Sequence, residues 1–342
     1  MKDNRRTFSV IGCEHGHIGV FVQEMLAAGW RCAGIYEPRN RALAERISRQ
    51  YGVPLVDDRD ALLGDEVAIV GCAAINNEKI DIIELCEQHG KHVMADKPIV
   101  TSQDDLRRLK AVMDRGTIQI GLLLTERYRA SVRKLKSLID AGELGTIVGI
   151  TMRKPHKLSP ASRPQWHFSK KQNGGIVIDL SIHDFDLLRW LTGSEVGEIS
   201  GYMAKTILPE YPDFYDVSCL QVRMNNGVLA QLYADWHTPA KSWTWGDCRI
   251  FVSGTKGAAE LRLEGDPLVD TGELLLKVTD EQEMTRVPLD DMDDSTICGD
   301  FLNRIEGKPA NITHEDIYKA ALATIQADSS VKVFSTVRDA EA

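Results

Sequence analysis

The first third of the chain alternates short, wholly apolar runs with longer segments whose apolar residues recur every three or four positions. "TFSVIG", "RCAGIYE", "VAIVGC", "HVMADKP" and "IQIGLLL" read as buried strands, and "PLVDD" as a shorter one. Between them, "GVFVQEMLAAG", "NRALAERISRQYG", "KIDIIELCEQHG" and "SQDDLRRLKAVMDRG" carry helical periodicity, and "DALL" a single helical turn. Gly29, Gly52 and Gly90 stop three of these helices. Strands separated by helices pair in parallel through right-handed crossovers. The expected product is α/β, a doubly wound, Rossmann-type parallel sheet with its ligand crevice at the C-terminal ends of the strands. Gly12, Glu37, Ala73 and Lys97 fall at such ends.

After about residue 122 the rhythm breaks. "ASVRKLKSLIDAGELG" is a helix, "TIVGITMRK" a strand, and "GGIVIDLSIHDFDLLRWLTG" a helix behind a glycine pair. Strand-like runs then follow one another: "EISGYMAKT", "DVSCLQVRM", "GVLAQLYADW", "CRIFVSG", "AAELRL" and "ELLLKV", with an Asn226–Gly227 hairpin turn among them. Consecutive strands without helices imply a largely antiparallel open sheet. Thr313-x-x-Asp316 resembles a capping box opening a late helix. "DDMDD" at 290–294 reads as a solvated loop. Two domains are expected: residues 1–122, binding a dinucleotide, and residues 123–342, an α+β domain for substrate binding and oligomerisation.

Charge and composition narrow the function. The 342 residues carry a formal net charge of −9, which argues against nucleic acid or an anionic membrane as the main partner. No apolar run reaches membrane-spanning length, and the strand after the basic "MKDNRR" is too short for a signal peptide. A cytoplasmic location is expected. The seven cysteines form no C-x-x-C pair, so reduced thiols are expected.

"VIGCEHGHIGVF" places Gly12, Gly16 and Gly19 in a G-x-x-x-G-x-x-G pattern, two residues longer than a dinucleotide fingerprint. It follows the first strand and opens the first helix, whose N-terminus offers N–H groups to a pyrophosphate. Glu37 lies 25 positions after Gly12, where a carboxylate accepts ribose hydroxyls and repels a 2′-phosphate. That favours NAD, while Arg39 and Arg41 keep NADP possible. His15 and His17 suggest a metal, but no carboxylate or cysteine follows at ligand spacing, and no metal is expected. The cofactor contacts expected along these strand ends are Gly12, His15, Gly16, His17, Ile18, Glu37, Arg39, Ala73, Asn76, Asp96 and Lys97.

Two stretches carry candidate chemistry. In "GKHVMADKPI", Pro98 keeps Lys97 out of helical geometry, so its side chain projects from a turn. In "GGIVIDLSIHDFDLLRWL", Asp179 and His183 are four residues apart, neighbours on one helix face. Asp179 could hold one ring nitrogen and leave the other to exchange a proton.

With these residues in view, the chain resembles the glucose–fructose oxidoreductase/inositol dehydrogenase (Gfo/Idh/MocA) family over nearly its whole length. "GKHVMADKP" resembles the G-K-H-V-x-x-E-K-P motif, with Asp96 in place of glutamate. "GGIVIDLSIHDFDLLRWLTG" resembles G-G-x-x-x-D-x-x-x-H-x-x-D. "KLKSLIDAGELGTIVGI" and "VSCLQVRMNNGVLAQL" resemble later stretches. The resemblance implies an active-site lysine at Lys97 before an often cis Pro98, and a catalytic acid and histidine at Asp179 and His183. It also implies a substrate-facing segment at "TERYR", which makes Arg127 and Tyr128 candidates. Lys79 stands near where many members have a histidine.

The implied activity is hydride transfer between a nicotinamide cofactor and a carbinol or carbonyl carbon of a sugar, polyol or cyclitol. A non-catalytic binding or regulatory homologue, and NAD-assisted elimination or glycoside cleavage, remain open alternatives. "RKPHKLSPASRPQWHFSKKQ" is expected to overhang the pocket, with His156, Trp166 and His167 as substrate contacts. Trp236, His237, Trp243 and Trp245 suit a subunit interface, and a homodimer or homotetramer is expected.

Overall fold

The computed structural model describes residues 6–290, 292 and 294–337. The elements run β1 (Thr7–Cys13), α1 (Ile18–Ala27), β2 (Arg31–Tyr36), α2 (Arg41–Tyr51), β3 (Ile69–Ala73), α3 (Lys79–Gln88), β4 (His92–Ala95), α4 (Gln103–Arg115) and β5 (Ile120–Leu122). There follow α5 (Ala130–Asp140), β6 (Ile147–Pro155), α6 (Lys170–Asn173), α7 (Ile176–Leu180), α8 (Ile182–Thr192), β7 (Val196–Lys205), β8 (Val217–Met224) and β9 (Leu229–Asp235). The chain ends through β10 (Arg249–Gly254), β11 (Gly257–Arg262), β12 (Leu274–Thr279), β13 (Thr285–Arg286), α9 (Ile297–Ile305), α10 (His314–Ser330) and β14 (Lys332–Ser335).

The chain forms two compact units. The first takes the described residues up to 124, with 171–174 and 295–322; the second takes 125–170, 175–294 and the residues from 323. The expected boundary at 122 lies two residues before the first crossing, and the chain then returns to the first unit twice.

The first unit holds a five-stranded sheet in the order β2-β1-β3-β4-β5, with every neighbouring pair parallel. β1 and β3 are buried along their whole length, as a sheet covered on both faces requires. Phe21 of α1 packs edge-on against Phe8 of β1, ring centroids 5.2 Å apart. Ser102 and Asn40 cap α4 and α2 by accepting the Asp105 and Leu43 N–H groups, and Gly52 and Gly116 close those helices in the left-handed conformation. "PLVDD" shrinks to a single bridge between Leu55 and Ile35. Pro54 brings no N–H to a longer ladder.

α9 and the start of α10 complete this unit. His314 Nε2 accepts the Ile120 N–H at 2.9 Å, and the Arg304 guanidinium donates to the Ile120 carbonyl. Burial, reinforced by the Arg304 charge, pushes the His314 imidazole down to about 4. A histidine depressed in the fold is protonated first in the unfolded chain. Its contribution is therefore full above about pH 6.5, falls progressively below that, and is lost by about pH 4. Because His314 is partly exposed, we expect on the order of 1–2 kcal/mol. Urea unfolding at pH 7 and pH 5 should show that loss, and His314→Ala should flatten the difference.

The second unit is built on a nine-stranded sheet, β13-β12-β11-β10-β6-β9-β8-β7-β14. It is mixed: β6 pairs with β9, and β14 with β7, in parallel. The remaining pairs are antiparallel. Burial alternates strictly along β8, and the inward residues Leu220, Val222, Leu232 and Ile250 share a core with Val177, Phe185 and Leu188 of α7 and α8. The other face exposes Val148, Tyr202, Leu229 and Phe251. The Asn226–Gly227 turn joins β8 to β9, with Gly227 at φ +91°.

The single helix expected over 174–193 is instead two, α7 and α8, which meet at Ser181 with ψ near 0°. The Thr313 capping box is present in both directions: Thr313 Oγ1 accepts the Asp316 N–H at 3.2 Å, and Asp316 Oδ2 accepts the Thr313 N–H at 2.9 Å. In "DDMDD", Asp291 and Asp293 lie outside the described residues. No helix among the described residues is long and apolar enough to cross a membrane.

Candidate functional site

The glycine loop forms where β1 leaves the sheet. Gly12 sits at φ +84°, and a Cβ there would lie 2.7 Å from Ala74, so only glycine lets β1 approach the end of β3. Beside it, the Glu14 N–H donates to the Ala73 carbonyl at 2.8 Å. Gly16 is less confined: a Cβ there would meet the Arg46 guanidinium at 3.7 Å, an ordinary contact. His17 stands at the N-cap of α1 without a side-chain cap bond, the first turn holds no acidic residue, and Ile18 is buried beneath it. A Gly12 cradle and an acid-free helix N-terminus fit the diphosphate of a dinucleotide.

Glu37 follows β2 and is buried. Its carboxylate accepts N–H groups from Cys13 at 2.5 Å, Arg39 at 2.7 Å and Asn40 at 3.1 Å, which locks the β2 end to the loop after β1. The Arg39 guanidinium grips Glu78 through two hydrogen bonds of 2.9 and 2.6 Å and reaches Glu14 at 3.1 Å.

The turn after β4 carries Asp96 and Lys97, and the Lys97–Pro98 peptide is cis. Asp96 Oδ1 accepts the Lys97 N–H at 2.8 Å. The buried Lys79 ammonium lies under this turn. It donates to the carbonyls of Asp96, Lys97 and Pro98 at 2.8, 3.2 and 3.0 Å, and to Asn76 Oδ1 at 2.9 Å. Asn76 also donates to the Asn173 carbonyl at 2.9 Å. Asn76 and Lys79 are thus bound into the support of the Lys97 turn.

His15 and His17 meet at Asp96. His15 Nδ1 is 3.1 Å from Asp96 Oδ2, and His17 Nδ1 is 3.3 Å from Asp96 Oδ1. The two rings stand edge to face with centroids 4.2 Å apart. Burial, with the neighbouring His17, pushes His15 down to about 4. Burial works to raise the Asp96 carboxyl, but His17, His15 and Lys79 outweigh it and hold it well below the usual carboxylate range.

Where the chain enters the second unit again, Gly174 and Gly175 take positive φ values of 98° and 85° to open α7. Asp179 is buried on α7, and His183 is half-buried on the first turn of α8. The buried Lys154 ammonium pairs with Asp184 at 2.7 Å and with Glu126. Burial would raise Glu126, yet Lys154 and then His183 outweigh it and bring its carboxyl down to about 2. An ionised carboxylate therefore stands near His183 at neutral pH.

Arg127 is 2% exposed, and its guanidinium holds Asp186 through bonds of 2.7 and 2.5 Å. Its neighbour Tyr128 is half-buried. His156 packs edge-on against Trp236, centroids 5.7 Å apart, and His167 does the same at 5.2 Å. Trp166 is buried beside His167. The expected aromatic cluster divides: Trp236 is core, while Trp243 and Trp245 are exposed. Arg163 lies over both Trp236 and Trp245.

Sequence reading missed three features. These are Asp96 between the two histidines, the Lys79 support, and the Glu126–Lys154–Asp184 group. Each joins residues far apart in the chain. Asp186 had one signal, its place in the G-G-x-x-x-D-x-x-x-H-x-x-D pattern.

Known proteins resemble this chain in sequence and fold. YrbE, an uncharacterized oxidoreductase of Bacillus subtilis (strain 168), is 29% identical over 59% of this chain and 58% of its own length. This chain thus spans less than two thirds of YrbE. The myo-inositol 2-dehydrogenase of Thermotoga maritima is 26% identical over 78% of this chain and 77% of its own. A levoglucosan dehydrogenase solved in complex with NADH has the same fold, with TM-score 0.79 at 18% identity, covering 95% of this chain and 96% of that one. A family described as oxidoreductases with an NAD-binding Rossmann fold matches residues 7–121, and the GFO/IDH/MocA C-terminal domain matches residues 132–260. With both halves matched, the chain belongs to the GFO/IDH/MocA family of NAD-binding oxidoreductases.

Proposed function

We propose that this protein is an NAD-dependent dehydrogenase or reductase acting on a CH–OH carbon of a sugar, polyol or cyclitol. The observation that carries the reading is the order of groups at the strand ends of the first unit. Gly12 closes on β3, the Glu37 carboxylate ends β2, and Lys97 is held in the turn after β4 by Lys79. The named activity of the Thermotoga relative supports a cyclitol or related polyol as substrate.

When bound, the nicotinamide supplies hydride chemistry. The remaining roles belong to the chain. In oxidation, His183 takes the hydroxyl proton and Lys97 donates a hydrogen bond to the same oxygen as negative charge develops there. Asp179 orients the imidazole, beside the ionised Glu126. Reduction reverses the proton's direction. Tyr128, His156 and Trp166 are proposed substrate contacts. The apolar positions on the outer face of the nine-stranded sheet support self-association as a homodimer or homotetramer.

Cofactor choice follows from charge. Glu37 opposes a 2′-phosphate, and Arg39 is engaged by Glu78 and Glu14. Calorimetry should give tighter binding of NADH than NADPH. Glu37→Ser combined with Glu78→Gln should narrow or invert that preference by roughly tenfold or more, as removal of about 1.4 kcal/mol of discrimination does. Binding of neither dinucleotide by folded protein would overturn the redox reading. Net NADH formation in a screen of polyols and sugars separates a dehydrogenase from transient oxidation.

A further inference from the structure

We propose that His15, His17 and Asp96 form a binding site for one divalent cation of the zinc–cobalt class. The proposal stands on the geometry of the loop, where His15, His17 and Asp96 are also among the expected cofactor contacts. Two imidazoles and one carboxylate are a donor set suited to such ions, and one ligand atom from each lies within 4.8 Å of the other two. Metal–nitrogen and metal–oxygen bonds of about 2.0–2.1 Å separate adjacent ligand atoms by roughly 2.9–3.4 Å. The separations of His15 Nδ1 from Asp96 Oδ2, 3.1 Å, and of His17 Nδ1 from Asp96 Oδ1, 3.3 Å, fall in that range, each to a different oxygen of the one carboxylate.

A second observation points to a missing partner. His15 Nδ1 and Asp96 Oδ2 are both buried, 3.1 Å apart, and have no other hydrogen-bond partner among the described residues. A cation bound to both atoms would satisfy them. Buried polar atoms left unsatisfied are costly and uncommon. The edge-to-face packing of the rings at 73° lets both histidines approach one point without overlap. The ammonium of Lys79, which lies under the turn, is directed into the carbonyls of 96–98 and Asn76. Three protein ligands leave a fourth position for water.

The test is titration of chelator-stripped full-length protein with Co2+, followed by visible absorption, and with Zn2+, followed by calorimetry. The expected result is one ion per chain with ligand-field bands of a nitrogen–oxygen site. His17→Ala, at a position 48% exposed, should fold normally and weaken binding beyond the roughly 10–100-fold that loss of an outer partner costs. Asp96→Asn should do the same, and His89→Ala, at an exposed position, should leave binding unchanged. Absence of saturable binding, or equal affinity in wild type and His17→Ala, overturns the site. Dinucleotide calorimetry on the stripped protein reports on the redox reading separately.

Discussion

His183→Ala is expected to lower turnover by roughly 10²–10⁴-fold, the usual worth of a positioned acid–base group. The substrate is the one the polyol and sugar screen identifies, and NADH absorbance measures the rate. His183 is half-buried at the start of α8, so its truncation should leave the unfolding free energy within about 1 kcal/mol of wild type. The loss should appear in kcat more than in NADH affinity, because the imidazole acts on the substrate proton. Lys97→Ala should cost roughly 10²–10³-fold, as loss of one donor to a developing oxyanion does. Unchanged turnover in both variants would remove the proposed mechanism and leave the fold and the family as they stand.

The largest stability effect is expected at Arg127. Arg127→Ala leaves the Asp186 carboxylate buried without its two guanidinium bonds. Breaking one side of a buried pair costs about 3–5 kcal/mol, against a total of about 5–15 kcal/mol for ordinary proteins. Urea unfolding should show that loss as a lower midpoint. Arg127 packs over Trp190 as well, with centroid distance 5.5 Å, so Arg127→Lys should recover only part of it, since lysine lacks the planar fork. Removing both partners, as Arg127→Met with Asp186→Leu, should be far less harmful than either single change. If Arg127→Ala instead keeps full stability and raises KM alone, Arg127 is a substrate contact and its pairing with Asp186 is secondary.

Much of the candidate site is readable in the sequence. Lys97 is marked by the proline after it, Glu37 by its distance from Gly12, and Asp179 with His183 by their four-residue spacing. Each signal is local: a φ restriction, a strand end, or a four-residue spacing. The same locality misleads in places. The 174–193 run has continuous helical periodicity, but Ser181 divides it. "PLVDD" has strand composition, but next to Pro54 it keeps one bridge. Arg127 stands in a segment expected to face substrate, and nothing near it in the chain signals the buried carboxylate 59 residues away.

By itself, then, the sequence determined the alternation of strand and helix, the helix stops at Gly29, Gly52 and Gly90, the Thr313 cap, the Asn226–Gly227 turn and the two-part architecture. These depend on periodicity and on backbone preferences of residues within a few positions of each other. Tertiary structure alone decided that Asp96 stands between His15 and His17, that Lys79 holds the Lys97 turn, that Lys154 lies between Glu126 and Asp184, and that β14 adds to β7 in parallel. The physical reason is common to all four. A buried charge or an unpaired strand edge must find a partner somewhere, but which one it finds depends on where the packed sheets carry distant segments, and side-chain spacing along the chain holds no record of that.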